Sequence, residues 1–301
     1  MPVIAQCLGL LEVVSVVRVP VELLVLDVDG TVTDSQHAVT SAAHEAVRMV
    51  EAAGIRVVLA TGRRYRDVLP VAQELGLTGP LITASGGLVK QPVDHQTLFR
   101  ASFAADLLPA ILSCIVAAGH EPVIYTDSYA GGFDFYCRTL TAVDAAGKPS
   151  GFGEYLARNR ELARVEPALV CQPPAEAFAG FAMGPVDEME RLEATLAKQF
   201  AGSVSLHTIQ SPRYRDWLCE IAPAGVDKWS SVRRLASRWG IPVEAICAVG
   251  DDRNDLPMIR GAGLGVAMGN AREEVQRAAD RVVASHEAGG LVEVAAMLTG
   301  D

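Results

Sequence analysis

Positive charge is what this 301-residue chain has too little of. Lys and Arg number 26 against 36 Asp and Glu, for a formal net charge of -10. Such a balance argues against nucleic acid and anionic membrane as partners, since both are met with basic surface. It leaves room for a phosphorylated small molecule, because a local metal and a few placed cations can bind phosphate inside an acidic protein. Cysteine is also sparse: Cys7, Cys114, Cys137, Cys171, Cys219 and Cys247 include no C-x-x-C pair. A disulfide framework is not expected in a chain this long, and reduced, buried thiols in a cytoplasmic protein are. The histidines His37, His44, His95, His120, His207 and His286 show no ligand spacing and read as surface or satisfied core residues. Met1 to Val17 is mostly apolar but lacks the basic start of a signal peptide, and Glu12 and Arg18 leave too short a run for a membrane span. Residues 1–20 read as an N-terminal extension with no assigned function. No repeat or low-complexity tract is present.

Half of the residues are hydrophobic, and the length predicts two domains with ample core. Leu23-Leu24-Val25-Leu26 is apolar on both faces, as a buried parallel strand must be. A helical stripe follows at Val39, Ala43, Ala46, Val47 and Val50, closed by Gly54. Ile55 to Ala60 and Leu81 to Thr83 are the next strands, with a helix running to about Leu75 between them. The pattern resumes near the end: helix Trp229 to Trp239, strand Ala245 to Val249, strand Leu264 to Met268, helix Arg272 to Ala279, strand Arg281 to Val283, and a last helix from Gly290. Alternation of this kind predicts an α/β fold, a doubly wound parallel sheet. Residues from about 90 to 220 differ. Strands at Val123–Tyr125, Phe133–Cys137, Leu169–Cys171 and Phe178–Met183, with a hairpin of Val204–Ile209 and Trp217–Ile221, predict an antiparallel α+β insert. Met189, Leu192, Leu196 and Phe200 read as the core face of a helix within it.

The chemistry concentrates at strand ends. Asp27-Val28-Asp29-Gly30-Thr31 places two carboxylates at the end of a buried strand, a costly arrangement unless a cation neutralises them. Thr61-Gly62, Lys228, and Asp251, Asn254 and Asp255 occupy comparable positions. In an open parallel sheet, ligands bind beyond the carboxyl ends of the strands, so these groups converge if their strands are neighbours. Asp27 can attack phosphorus and ligate a metal; Asp29 can lend its backbone carbonyl to the metal and move protons with its side chain. Asp251 supplies a third oxygen ligand, and magnesium suits such a set. Thr61 offers a hydroxyl and a backbone N–H to phosphate oxygens, Lys228 a fixed positive charge, and Asn254 a neutral donor.

These residues resemble the haloacid dehalogenase superfamily, and within it the Cof-type phosphatases with a class IIB cap. D-V-D-G-T-V-T is similar to the first motif, A-T-G-R to the second, and G-V-D-K carries the lysine of the third. G-D-D-R-N-D-L-P-M-I-R-G-A-G-L-G-V-A-M-G-N-A matches the fourth and its extension. The resemblance implies a Rossmann-like catalytic core over 21–88 and 222–301 with an inserted cap over 89–221. It implies Asp27 as nucleophile, Asp29 as general acid and base, and Mg2+ held by Asp27, the Asp29 carbonyl and Asp251. It further implies phosphate contacts from Thr61, Gly62, Lys228 and Asn254, with Asp255 orienting Lys228 or a metal-bound water. Three positions depart from the family pattern: Ser85-Gly86-Gly87 where N-G-A is usual, Trp229 where glycine follows the lysine, and Gly289-Gly290 where Asp-Gly is common.

The resulting expectation is Mg-dependent hydrolysis of a small phosphorylated metabolite, with sugar phosphates as one class, through an aspartyl-phosphate on Asp27. A phosphosugar mutase and a non-catalytic phosphometabolite-binding protein are the alternatives. Arg63-Arg64 could touch substrate, but an exposed basic pair is the commoner case and the reading adopted. Tyr129, Gly131, Gly132, Arg213 and Tyr214 could line a substrate pocket, but none carries a readable signal.

Overall fold

The computed structural model describes residues 20–141, 150–211 and 213–300. The expected N-terminal extension and Cys7 fall almost wholly outside these residues. Strand β1 (Leu23–Leu26) is buried along its whole length and leads through helix α1 (Ser41–Ala52) to β2 (Arg56–Leu59). Thr40 caps α1, its hydroxyl accepting the Ala43 amide at 3.0 Å, and Gly54 takes the left-handed φ of +80° that ends the segment. Helix α2 (Tyr65–Glu74) then leads to β3 (Leu81–Thr83). A hairpin of β4 (Leu88–Lys90) and β5 (Thr97–Arg100), not anticipated from the sequence, extends β3 as an antiparallel sheet.

The following segment has its own layers. It comprises α3 (Leu107–Ala117), β6 (Val123–Thr126), β7 (Phe135–Cys137), α4 (Gly151–Arg158), β8 (Ala163–Val165), β9 (Ala177–Gly184), α5 (Val186–Gln199), β10 (Val204–Gln210) and β11 (Trp217–Pro223). Its six-stranded sheet runs β10-β11-β9-β6-β7-β8, antiparallel except for the parallel β7–β8 pair. Met189, Leu192 and Leu196 of α5 pack into its core, as the stripe predicts. The strand expected at Leu169–Cys171 is instead a turn. Leu169 is buried as a single anchor, amide-to-carbonyl bonds Leu169 to Glu166 and Cys171 to Ala168 close the turn, and Pro173-Pro174 follow. A short apolar run before two prolines cannot join a ladder.

The chain then returns to the first layer with α6 (Lys228–Trp239), β12 (Ile246–Gly250), α7 (Leu256–Gly261), β13 (Leu264–Ala267), α8 (Glu273–Ala278), β14 (Arg281–Val282) and α9 (Gly290–Thr299). The sheet order is β14-β13-β12-β1-β2, parallel throughout, and a bridge between Ala60 and Ile82 continues it to β3. Alternate residues of β1 serve opposite faces. Leu24 and Leu26 pack with Val47 of α1 and Leu291 of α9, whereas Leu23 and Val25 pack with Val232 of α6 and Met258 of α7. The fold is therefore a Rossmann-like doubly wound α/β sheet carrying an inserted α+β cap. Its strand order reverses between β1 and β12, the place where such sheets bind ligands.

Two of the unusual positions are accommodated by glycines. A Cβ on Gly261 would meet the Trp229 ring at 2.3 Å, so the bulky residue after Lys228 lies over a side-chain-free spot. Gly290 likewise has no room for a Cβ, which would come within 2.0 Å of the Ala284 carbonyl.

Candidate active site

Asp27 leaves β1 at the switch point, its amide held by the Val249 carbonyl at 3.0 Å, and only 5% of it is exposed. Lys228, at the first turn of α6, reaches it from behind. Its Nζ donates to Asp27 Oδ1 and to Asp255 Oδ1, both at 2.6 Å. A capping box fixes this helix start: the Ser230 amide donates to Asp227 Oδ1 at 2.6 Å, and Ser230 Oγ accepts the Asp227 amide at 3.1 Å. Asp255 is turned toward the lysine by the amides of Asp251 and Asp252, which donate to its other oxygen at 2.9 and 3.1 Å. Gly250 makes this possible, since a Cβ there would strike Asp255 at 2.5 Å.

Charge at this spot is unbalanced. Burial pushes the Asp27 carboxyl up to about 7, against the pull of Lys228 and with the added repulsion of Asp255 and Asp29. Asp251 is raised well above the ordinary range by burial and by Asp27 and Asp255. Lys228 would lose affinity for its proton through burial, but Asp255 and Asp27 more than reverse this. Carboxylate oxygens of Asp27, Asp251 and Asp255 lie within 4.8 Å of one another, and Asp251 Oδ1 is buried with no hydrogen-bond partner. Three carboxylates share one ammonium, and a buried carboxylate oxygen without a partner is costly. The donor set fits a divalent, oxygen-seeking cation. Asp27 and Asp251 are free to hold it; Asp255 is already spent on Lys228 and two amides. Gly30 presses close here, with φ +75° and a would-be Cβ 2.3 Å from Asp251 Oδ2. Asn270, unremarked in the sequence, donates to the Gly30 carbonyl at 2.9 Å and to Asp251 Oδ2 at 3.4 Å.

Asp29 has a different environment. Arg63 grips it with two prongs, Nε to Oδ2 at 2.9 Å and Nη2 to Oδ1 at 2.6 Å, and His37 Nδ1 lies 3.3 Å from Oδ1. Burial raises its carboxyl, but the hydrogen bonds and charge of Arg63, with help from Arg213 and His37, outweigh this and hold it below the usual range. Arg63 and Arg64 are accordingly not an exposed pair: each is only 9% exposed. Arg63 neutralises Asp29, and Arg64 reaches into the cap, where its Nη2 donates to Asn159 Oδ1 at 2.7 Å, while its Nε donates to Asp67 on α2 itself at 2.6 Å. The next arginine, Arg66, holds Asp134 at 3.0 Å and the Tyr129 carbonyl at 3.2 Å. The N-terminus of α2 thus follows the Thr61-Gly62 turn and also ties down the cap.

Thr61 is buried, and its amide is committed to the Ile82 carbonyl at 2.9 Å. Its hydroxyl, which accepts the Arg63 amide at 3.1 Å, retains a proton to donate. The expectation that Thr61 offers its own N–H is therefore corrected: the sheet has taken it. Gly62 and Asn254 adjoin, a Cβ on the former falling 3.6 Å from Asn254 Nδ2 and 3.3 Å from Oε1 of the cap residue Glu220. Glu220 accepts the Ser85 hydroxyl at 2.7 Å. Ser85 adopts φ 51° and ψ 33°, a left-handed conformation that asparagine tolerates better than serine.

Asp27, Asp29, Thr61, Gly62, Asp251 and Asn254 line one cavity of about 490 Å³ between core and cap, whereas Lys228 and Asp255 stand behind its floor. Arg213 and Tyr214 line it too; Tyr129, Gly131 and Gly132 do not. Of the histidines, His37 and His286 do. The five described cysteines are free; Cys137, Cys219 and Cys247 are buried and Cys171 is exposed. No helix among the described residues is long and apolar enough to cross a membrane.

A carboxylate-rich floor at the switch point of a doubly wound sheet, roofed by an α+β insert, defines a capped hydrolase of the phosphoryl-transfer kind. The family model for haloacid dehalogenase-like hydrolases matches residues 24–294, and the chain belongs to that family. It is 28% identical over 298 residues to Phosphatase YwpJ of Bacillus subtilis (strain 168), with 91% of this chain and 98% of the relative covered. It is 24% identical to 5-amino-6-(5-phospho-D-ribitylamino)uracil phosphatase YitU of the same organism, over 89% of this chain and 94% of the relative. A crystal structure of a haloacid dehalogenase-like hydrolase from Bacteroides thetaiotaomicron matches with a TM-score of 0.74 and 26% identity, covering 92% of this chain and 99% of that one. Both of these Bacillus subtilis relatives are named as phosphatases.

Proposed function

We propose that the protein hydrolyses a small phosphorylated metabolite through an aspartyl-phosphate on Asp27, with residues 21–88 and 222–301 as catalytic core and 89–221 as cap. The observation that carries this reading is the buried Asp27 carboxylate on the cavity floor, braced by Lys228 and facing the unpartnered Asp251 oxygen. YitU is named for a phosphorylated ribitylaminouracil, a compound of that size class.

Asp27 attacks phosphorus in line. Thr61, Gly62 and Asn254 orient the phosphoryl oxygens, and Lys228 offsets repulsion between nucleophile and phosphate from behind Asp27. Asp29 protonates the leaving oxygen and then takes a proton from the water that opens the acyl phosphate. Its pairing with Arg63 suits the second task, since Arg63 holds it ionised; the first requires Arg63 to release it as substrate enters. Asp27, Asp251 and the Asp29 carbonyl would hold Mg2+, which supplies positive charge against the oxygens gathered on the floor. The cap excludes bulk water.

Phosphate release from a panel of phosphorylated metabolites, with and without Mg2+, tests this reading. Asp27→Asn is expected to abolish release and Asp29→Asn to slow it by about 10²–10⁴-fold. Full activity in Asp27→Asn, or indifference to Mg2+, refutes the mechanism. Isomerised sugar phosphate without free phosphate identifies a mutase instead.

A further inference from the structure

The two oxygens of the Asp251 carboxylate are not equivalent. Oδ1 is buried without a hydrogen-bond partner, whereas Oδ2 is engaged from two sides. On one side stands Gly30: of the Asp251 atoms, Oδ2 lies nearest to where a Gly30 Cβ would be, and there is no room for one. On the other stands Asn270, whose Nδ2 donates to Oδ2 at 3.4 Å and to the Gly30 carbonyl at 2.9 Å. One side-chain amide thus holds the glycine loop against the carboxylate. Its orientation is set from behind, because the His286 backbone N–H donates to Asn270 Oδ1 at 3.0 Å. The turn that carries Asn270 is anchored as well. The Gly269 amide donates to the Ala284 carbonyl at 3.1 Å, and the Arg272 amide to the carbonyl of Asp251 itself at 3.0 Å. Asn270 is exposed at the cavity rim and packs into no core, so these bonds are its contribution.

A carboxylate can ligate a cation through one oxygen or through both. With Oδ2 occupied by Gly30 and Asn270, Asp251 has one oxygen to give. Mg2+ is small, demands a compact octahedron and keeps several waters, so single oxygens from its carboxylates suit it. Ca2+ is larger, gathers more oxygens in looser geometry and readily takes both oxygens of one carboxylate. An Asp251 held in this way therefore favours the smaller ion. Freeing Oδ2 would remove that bias without removing a ligand.

We propose that Asn270 is a positioning residue that makes Asp251 a one-oxygen ligand and so sets the preference of this site for Mg2+ over Ca2+. This inference rests on the metal seat of the phosphatase reading above and adds the group that tunes it. The test follows the melting temperature of the full chain, stripped with EDTA and dialysed, against Mg2+ and separately against Ca2+, which yields an affinity for each ion. Wild type is compared with Asn270→Ala and with Asn270→Leu, which keeps the bulk and removes the donor. Both variants are expected to weaken Mg2+ about tenfold, as losing a hydrogen bond to a metal ligand does. Ca2+ is expected to keep its affinity within about threefold, so the Mg2+-to-Ca2+ ratio falls by about threefold or more. An unchanged ratio in both variants overturns the proposal, since equal weakening of the two ions is what a merely loosened turn would give. The two readings fail differently. A wild type with no Mg2+-dependent shift overturns the metal seat and this inference with it, whereas a wild-type shift with an unmoved ratio in the variants removes this inference alone.

Discussion

Removing the nucleophile should stabilise the metal-free protein, and the effect should grow with pH. In the folded chain the Asp27 carboxyl is pushed from its ordinary 3.8 up to about 7, chiefly by burial. The sign follows from proton binding. Between those two values the native state holds a proton that the unfolded chain has released, so stability falls as pH rises through that window and levels off above it. The whole displacement corresponds to about 4 kcal/mol, of which about 3 kcal/mol accrues between pH 5 and pH 8. Asp27→Asn keeps an oxygen to accept from Lys228 and removes the titrating charge. In EDTA, urea unfolding of wild type and variant should therefore diverge, with the variant gaining about 3 kcal/mol on the wild type between pH 5 and pH 8. Adding Mg2+ at pH 8 should restore the wild type and do much less for the variant, because only a ligand that binds the native state stabilises it. Parallel pH curves, or a variant that loses ground at pH 8, would show that the floor of the site holds no uncompensated charge.

Three further outcomes test individual contacts. Gly30→Ala forces a Cβ to within 2.3 Å of Asp251 Oδ2 at a left-handed φ, and should abolish stabilisation by Mg2+ and cut turnover about 10²-fold; a normal Mg2+ thermal shift would refute the contact. Lys228→Met strands Asp27 and Asp255 without their shared cation and should cost about 3–5 kcal/mol by urea unfolding at pH 8, whereas a loss below about 1 kcal/mol would contradict the geometry. Ser85→Asn should match or exceed wild-type stability, by up to about 1 kcal/mol, because asparagine accepts the left-handed turn and can still donate to Glu220; destabilisation would place the strain elsewhere.

What could be read from the chain was whatever local pattern encodes. The apolar run before Asp27 declares a strand buried on both faces, and the Met189, Leu192 and Leu196 stripe declares the core face of a helix. Gly54, with φ +80°, marks the end of the first helical segment. What stayed hidden depends on partners distant in sequence. Arg64 is buried because Asn159, 95 residues on, accepts from it, and Arg63 because Asp29 lies across the sheet. Nothing near either arginine announces this, so the solvated reading was the natural one. The Thr61 amide was spent on Ile82 by a strand pairing that short segments do not specify. His37 adjoins Asp29 only because the loop after β1 turns back, with His37 itself at a φ of 64°.

The arginines of α2 make the cap something other than an interchangeable module. Arg64 and Arg66 belong to the core by sequence yet find their acceptors at Asn159, Asp134 and Tyr129. A cap grafted from another scaffold without those acceptors would leave Arg64, only 9% exposed, with Asp67 as its sole counter-charge. The helix that carries these arginines starts four residues after Thr61, so a mismatched graft would disturb the phosphate turn itself. Engineering a new specificity by exchanging roofs therefore requires residues 64–67 to travel with the roof.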